Sequence, residues 1–301
     1  MRGRKQATST TQAAALVRNG PVALKNATPY PRAMPPSPEN LSIDVTRNFE
    51  GDVLGPISVD VARRRVLAYC TEPRSGWGVY DLAGIQARRA GLLDQISTWS
   101  LLLANALNGQ VTLNNLADFT QGFQRDLAAR IANVPADVDL DGTISDEVLE
   151  RVVNVCDFGF DGVWAPKITK LAALYRPGSV PVLDGHVAQA FGFSHDSFSI
   201  KAVQRSIGRR DRIRKVVHAL ATGVTEHTRQ LDELRELVAP AVPEIRLVPY
   251  LRLLDIVIWT SQDDRLPRRE RQGKRWDERS PGEPLPLNDF EAVPLRQART
   301  Q

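Results

Sequence analysis

Apolar residues recur every three or four positions through most of the middle of this 301-residue chain, and that period commits it to helices. The clearest run is 112–131, where Leu113, Leu116, Phe119, Phe123, Leu127 and Ile131 fall on one face. The 96–108 run opens on hydroxyls and stops at Gly109, and 145–155 carries Val148, Leu149, Val152 and Val153. Shorter helices are expected at 166–175, 184–191 and 199–207. A long one is expected at 212–237, and an apolar, central one at 248–259. Only 53–59 and 66–69 look like strands. With aromatics at 6%, too few for a β-sandwich, the fold class is all-α. Two helical lobes are expected, one over 97–190 and one from 41–95 with 197–262.

Residues 1–40 lack periodicity and end in a proline-rich run, so they read as a disordered basic arm. Residues 263–301 hold mixed charge from Arg265 to Arg279, then Pro281, Pro284 and Pro286, and read as a second disordered tail. The helical core is 41–262. The chain carries a net charge of +4, but its arm has six basic residues against Glu39. Residues 41–261 hold 24 basic and 26 acidic groups, so the core is not basic and the pI says little about a DNA surface. No window approaches the ~18 apolar residues of a membrane span, and no apolar stretch follows Met1, so a cytoplasmic chain without a membrane partner is expected. Two cysteines and four histidines are too few for a zinc or iron–sulfur site, so no metal and no cofactor are expected. One disulfide is arithmetically possible; reduced thiols are the simpler reading.

Two motifs have plain explanations beside functional ones. Asp137-Val138-Asp139-Leu140-Asp141-Gly142 starts like a calcium loop, but position 12 is Val148 where a bidentate carboxylate is needed. An acidic loop in which Ser145 caps the next helix explains the same residues. The run Arg209-Arg210-Asp211-Arg212-Ile213-Arg214-Lys215 could meet phosphates, or it could be the solvated start of a helix on a net negative core.

The stretch from Gly162 to Val187 carries the functional argument. A glycine turn opens a helix, the helix ends at Arg176-Pro177-Gly178, and an extended Pro181-Val182 leads to Asp184 at the mouth of the next helix. Gly162-Val163 and Pro181-Val182-x-Asp184-x-His186-Val187 resemble the helix-hairpin-helix DNA glycosylases, the endonuclease III superfamily. Leu171, the Arg176-Pro177 and Pro181-Val182-x-Asp184 stretch, and Leu251-Arg252-x-Leu254-Asp255-x-Val257-x-Trp259 are similar to a mainly actinobacterial family of unknown function, itself like a diverged relative of that fold. The resemblance implies a two-lobed helical fold acting on double-stranded DNA with a base flipped from the stack. It implies that Asp184 stabilises a developing sugar cation, and that Gly162, Val163, Ala165, His186, Arg209, Arg210 and Arg212 face the nucleic acid. Pro166 stands where the family's lyase lysine would be, which implies a monofunctional enzyme; Lys167, one residue out of register, is the candidate if the helix is shifted. Trp164 replaces the second hairpin glycine, so it is expected to pack inward and not to bind phosphate.

A second reading keeps the fold without the chemistry. In it Asp184 is a helix cap, Lys167 is solvated, and the chain binds nucleic acid or a protein. The two part on whether Asp184 opens into a cleft large enough for a base or is sealed against the core.

Overall fold

A computed structural model describes residues 41–44, 49, 55–72, 75–136, 138–160, 162–199 and 208–262. The arms expected at 1–40 and 263–301, and all but the first residue of the helix expected at 199–207, lie outside the described residues. The described residues fall within one unit, 36–301.

Among the described residues, strand is confined to β1 (Ser42–Ile43) and β2 (Ile57–Ser58), paired antiparallel with Ser42 opposite Ser58 and Ile43 opposite Ile57. Ser58 then caps α1 (Val59–Thr71), its hydroxyl accepting from the Val61 N–H with Asp60 in the first turn. The 66–69 strand expectation is corrected here, because those residues lie inside α1. Val59, Ala62, Val66 and Tyr69 recur at helical spacing and are all buried, a pattern that a four-residue window is too short to show. A π-helical turn, Trp77–Leu82, leads into α2 (Ala83–Arg89).

Ser97 and Ser100 form a reciprocal cap for α3 (Thr98–Leu103), which tightens into a 3₁₀ turn at Ala104–Leu107 and ends with Asn108 left-handed at φ 57°. Thr112 caps α4 (Leu113–Asp118). A π-helical segment, Phe119–Phe123, joins it to α5 (Gln124–Ala132), with Gly122 at φ +132°, a conformation open to glycine. Ser145 caps α6 (Asp146–Cys156), as the acidic-loop reading expects. Next come α7 (Ala165–Tyr175), α8 (Gly185–Ala190), α9 (Arg209–Glu226), α10 (Thr228–Val238) and α11 (Tyr250–Gln262). The single helix expected over 212–237 is therefore two, parted at His227. Around that break the hydroxyls of Thr225 and Thr228 bond back to the carbonyls of Ala221 and Val224, competing with the helical ladder.

The chain is all-α. Helix α11 packs against α1, α8, α9 and α10, and only its Tyr250 and Trp259 are not fully buried, which explains its all-round apolar sequence. The buried apolar cluster is contiguous from Ile43 to Ile258, so the helices assigned above to two lobes share one core. Among the described residues no helix is long and apolar enough to cross a membrane.

Candidate functional site

Pro181 and Val182 lead extended into Asp184, which sits at φ −120°, ψ −173° as the cap of α8. Its Oδ1 accepts the N–H groups of His186 at 3.1 Å and Val187 at 3.2 Å. Its Oδ2 lies 3.4 Å from Lys170 Nζ, and the two side chains are only 10% and 5% exposed. Lys170 also donates to the Leu107 carbonyl at 2.6 Å, which ties the turn after α3 to this pair. Burial pushes the Asp184 carboxyl up, but Lys170, His186 and the Val187 N–H outweigh it and hold it below the usual range. Asp184 is thus an ionised carboxylate with one oxygen spent on the helix end and the other on a lysine.

The polar layer continues from there. The Val182 N–H donates to Asp255 Oδ2 at 3.0 Å, and the Leu183 N–H to Thr169 Oγ1 at 3.0 Å. Arg252 grips Asp81 with two bonds of 2.7 and 3.0 Å, and Tyr69 donates to Asp81 at 2.7 Å. The Tyr80 hydroxyl donates to the Lys170 carbonyl, and its ring lies 5.5 Å from the Arg252 guanidinium. The two sequence stretches that stood out, 181–187 and 251–259, therefore meet in one buried ionic network.

The lysine beside Asp184 is Lys170, which the sequence reading missed. Lys167 instead donates to Asn115 Oδ1 at 2.9 Å, and partial burial lowers its pKa. One turn of α7 separates the two lysines, so helical geometry offered Lys170 as readily as Lys167.

The hairpin residues mostly face inward. Phe160 and Val163 exchange bonds of 2.9 and 2.8 Å across a tight turn in which Gly162 takes φ +69°. Gly162 is exposed, but Val163 and Ala165, assigned to the nucleic-acid face, are core residues at 0% exposure. Trp164 is extended at φ −126° and half-buried. Its ring crowds Gly159, where a Cβ would come within 2.2 Å, and the Arg209 guanidinium lies 4.5 Å above it. His186 is half-buried, edge-on to Trp259 and His195.

The basic run is largely committed inside the fold. Arg209 bonds the Asp157 carboxylate at 2.8–2.9 Å, and Arg210 bonds Glu150 at 2.8 Å and Asn154 at 2.7 Å. Arg214 grips Glu150 at 2.5 Å. Arg212, expected at a phosphate, is corrected to a core side chain at 0% exposure that donates to the Ser197 carbonyl at 3.2 Å.

In the acidic loop, Asp137 lies outside the described residues. Asp141 Oδ1 accepts the Thr143 N–H at 2.8 Å and its hydroxyl at 2.6 Å, and Asp139 packs against Gly178. Val148 lies in the first turn of α6, where its N–H donates to the Ser145 cap. Among the described residues no group of three or more His, Cys, Asp or Glu side chains is placed to hold a metal ion. Calorimetry with Ca²⁺ is expected to show no binding at micromolar concentrations, since Val148 supplies neither of the oxygens that position 12 needs. A micromolar dissociation constant would reverse this.

Elsewhere, an open groove of about 830 Å³ runs between residues 93–96 and α5, with Tyr175 and Arg176 in its lining. Leu92, next in sequence to a groove residue, is solvent-facing, as are Trp99 and Leu113 at 67% and 83% exposure, and Phe123 is partly exposed with its ring stacked 4.6 Å from Phe160. Residues 62–262, from the first turn of α1 to the end of α11, match a family model described as a family of unknown function, DUF6308. No curated protein and no solved structure matches the chain. With two thirds of its length inside that match, the chain belongs to the DUF6308 family.

Proposed function

We propose that this chain is a non-catalytic helical module that engages a protein partner, in which Asp184 anchors the core and does not act on a substrate. The observation that carries this reading is the closure of Asp184: it is 7% exposed, capped onto α8 and paired with Lys170. A carboxylate that stabilises a sugar cation must present an oxygen to it, and both oxygens here are engaged. A protein partner is favoured over nucleic acid because Arg209, Arg210 and Arg214 are paired with carboxylates, leaving little of the basic run for phosphates. Among the described residues, four of the six exposed large apolar side chains, Leu92, Trp99, Leu113 and Phe123, fall within 92–123, the stretch that also supplies part of the groove lining, and a protein surface would cover such side chains.

Base excision on double-stranded DNA is the second reading. It is favoured by the order of glycine turn, α7, extended Pro-Val and Asp184 at a helix start, with Lys170 3.4 Å away. Incubation with a panel of modified duplexes, followed by alkali cleavage of abasic sites, separates the two. The module reading expects no cleavage above background. Excision that disappears in Asp184→Asn would replace it with the second.

A further inference from the structure

Three buried carboxylates, Asp81, Asp184 and Asp255, share the polar layer with two buried cations, Lys170 and Arg252. Arg252 gives two bonds to Asp81, and Lys170 pairs with Asp184. Asp255 is the carboxyl left over. Its Oδ2 accepts one backbone N–H, from Val182 at 3.0 Å, and lies 4.0 Å from Arg252 Nη1. Its Oδ1 is sealed from solvent with no hydrogen-bond partner among the described residues. The titratable groups that interact with it electrostatically are Arg252 on its own helix, Asp184 before α8, Asp81 and Tyr80 from the π-helical turn, and Cys156 at the end of α6. Only Arg252 among them is positive; its Nε and Nη2 bond Asp81, and Nη1, 4.0 Å from Asp255, stands beyond hydrogen-bond distance. A third negative charge in this layer would lack a cation of its own, the arrangement in which the neutral acid is favoured.

We infer that Asp255 holds a proton in the folded chain, so that this carboxyl makes the fold pH-sensitive where α11 meets the segment leading to Asp184. Burial first, then Asp184 and Asp81, raise its pKa from 3.8 to about 7 against the pull of Arg252 and the Val182 N–H. The unfolded chain releases this proton near its ordinary value and the folded chain near neutrality. Stability therefore falls as pH rises from about 4 to 7 and levels off beyond. Asp184 is held low, so its own contribution is lost only in more acidic solution and does not offset this window.

Thermal midpoints of the full chain at pH 5 and pH 8 test the inference. The wild type is expected to lose roughly 5–10 °C more than Asp255→Asn over that interval. In parallel, the side-chain carboxyl carbon of Asp255 is followed by NMR in the wild type, which decides the matter even if the variant does not fold. A resonance that titrates near pH 7 supports the inference. Titration near pH 4, or equal pH slopes in the two proteins, would overturn it.

Discussion

Lys170→Met is expected to destabilise the fold by about 3–5 kcal/mol in urea unfolding at pH 7. Methionine nearly matches the volume of lysine, so packing changes little; what is lost is the buried cation paired with Asp184. The Asp184 charge then keeps its two backbone donors, and the Leu107 carbonyl loses its partner. The same variant should regain stability as the pH falls toward 5, because an unpaired buried carboxyl takes up a proton more readily than a paired one. Combining it with Asp184→Leu should recover most of the loss, leaving the missing α8 cap at about 1 kcal/mol. A Lys170→Met protein as stable as wild type would show that the pair is not closed in solution.

The second large effect is expected at the other buried pair. Arg252→Met removes both bonds to Asp81 and the positive charge 4.0 Å from Asp255, while the Tyr69 hydroxyl still donates to Asp81. The thermal midpoint should drop by roughly 10 °C, on the basis of about 3–5 kcal/mol for a broken buried pair. Arg252→Lys should recover little, since an ammonium cannot reproduce the two-pronged grip. A drop of a degree or two would mean that the layer is hydrated and its charges are cheap to leave alone.

Much of the fold was legible because its signals are local. The stripe in α6, the capping of that helix by Ser145, and the all-round apolar α11 each follow from residues within a few positions of one another. Asp184 was legible for the same reason: Pro181 sets the extended approach and the carboxylate takes the amides two and three residues on, those of His186 and Val187. What was not legible depends on partners far along the chain. Arg212 reads as one more charge in a basic run until the Ser197 carbonyl and the core close around it. Val163 and Ala165 look like hairpin contacts, yet the turn directs them into the core. Lys170 was missed because the ungapped family register fell on Pro166 and drew attention to Lys167 beside it, whereas it is the next turn of α7 that reaches Asp184. The π-helical segments at Trp77–Leu82 and Phe119–Phe123 add residues to a turn, which a fixed 3.6-residue period does not register.

In the module reading, Asp184 and Lys170 serve to hold the fold together. A double-mutant cycle of Lys170→Met, Asp184→Asn and the combined protein, read by urea unfolding at pH 7, measures it directly. Both single variants are expected to be destabilised, and the pair to be coupled by about 2 kcal/mol or more. A coupling near zero, with Asp184→Asn as stable as the wild type or more so, is the behaviour of a strained functional carboxylate and would contradict the account.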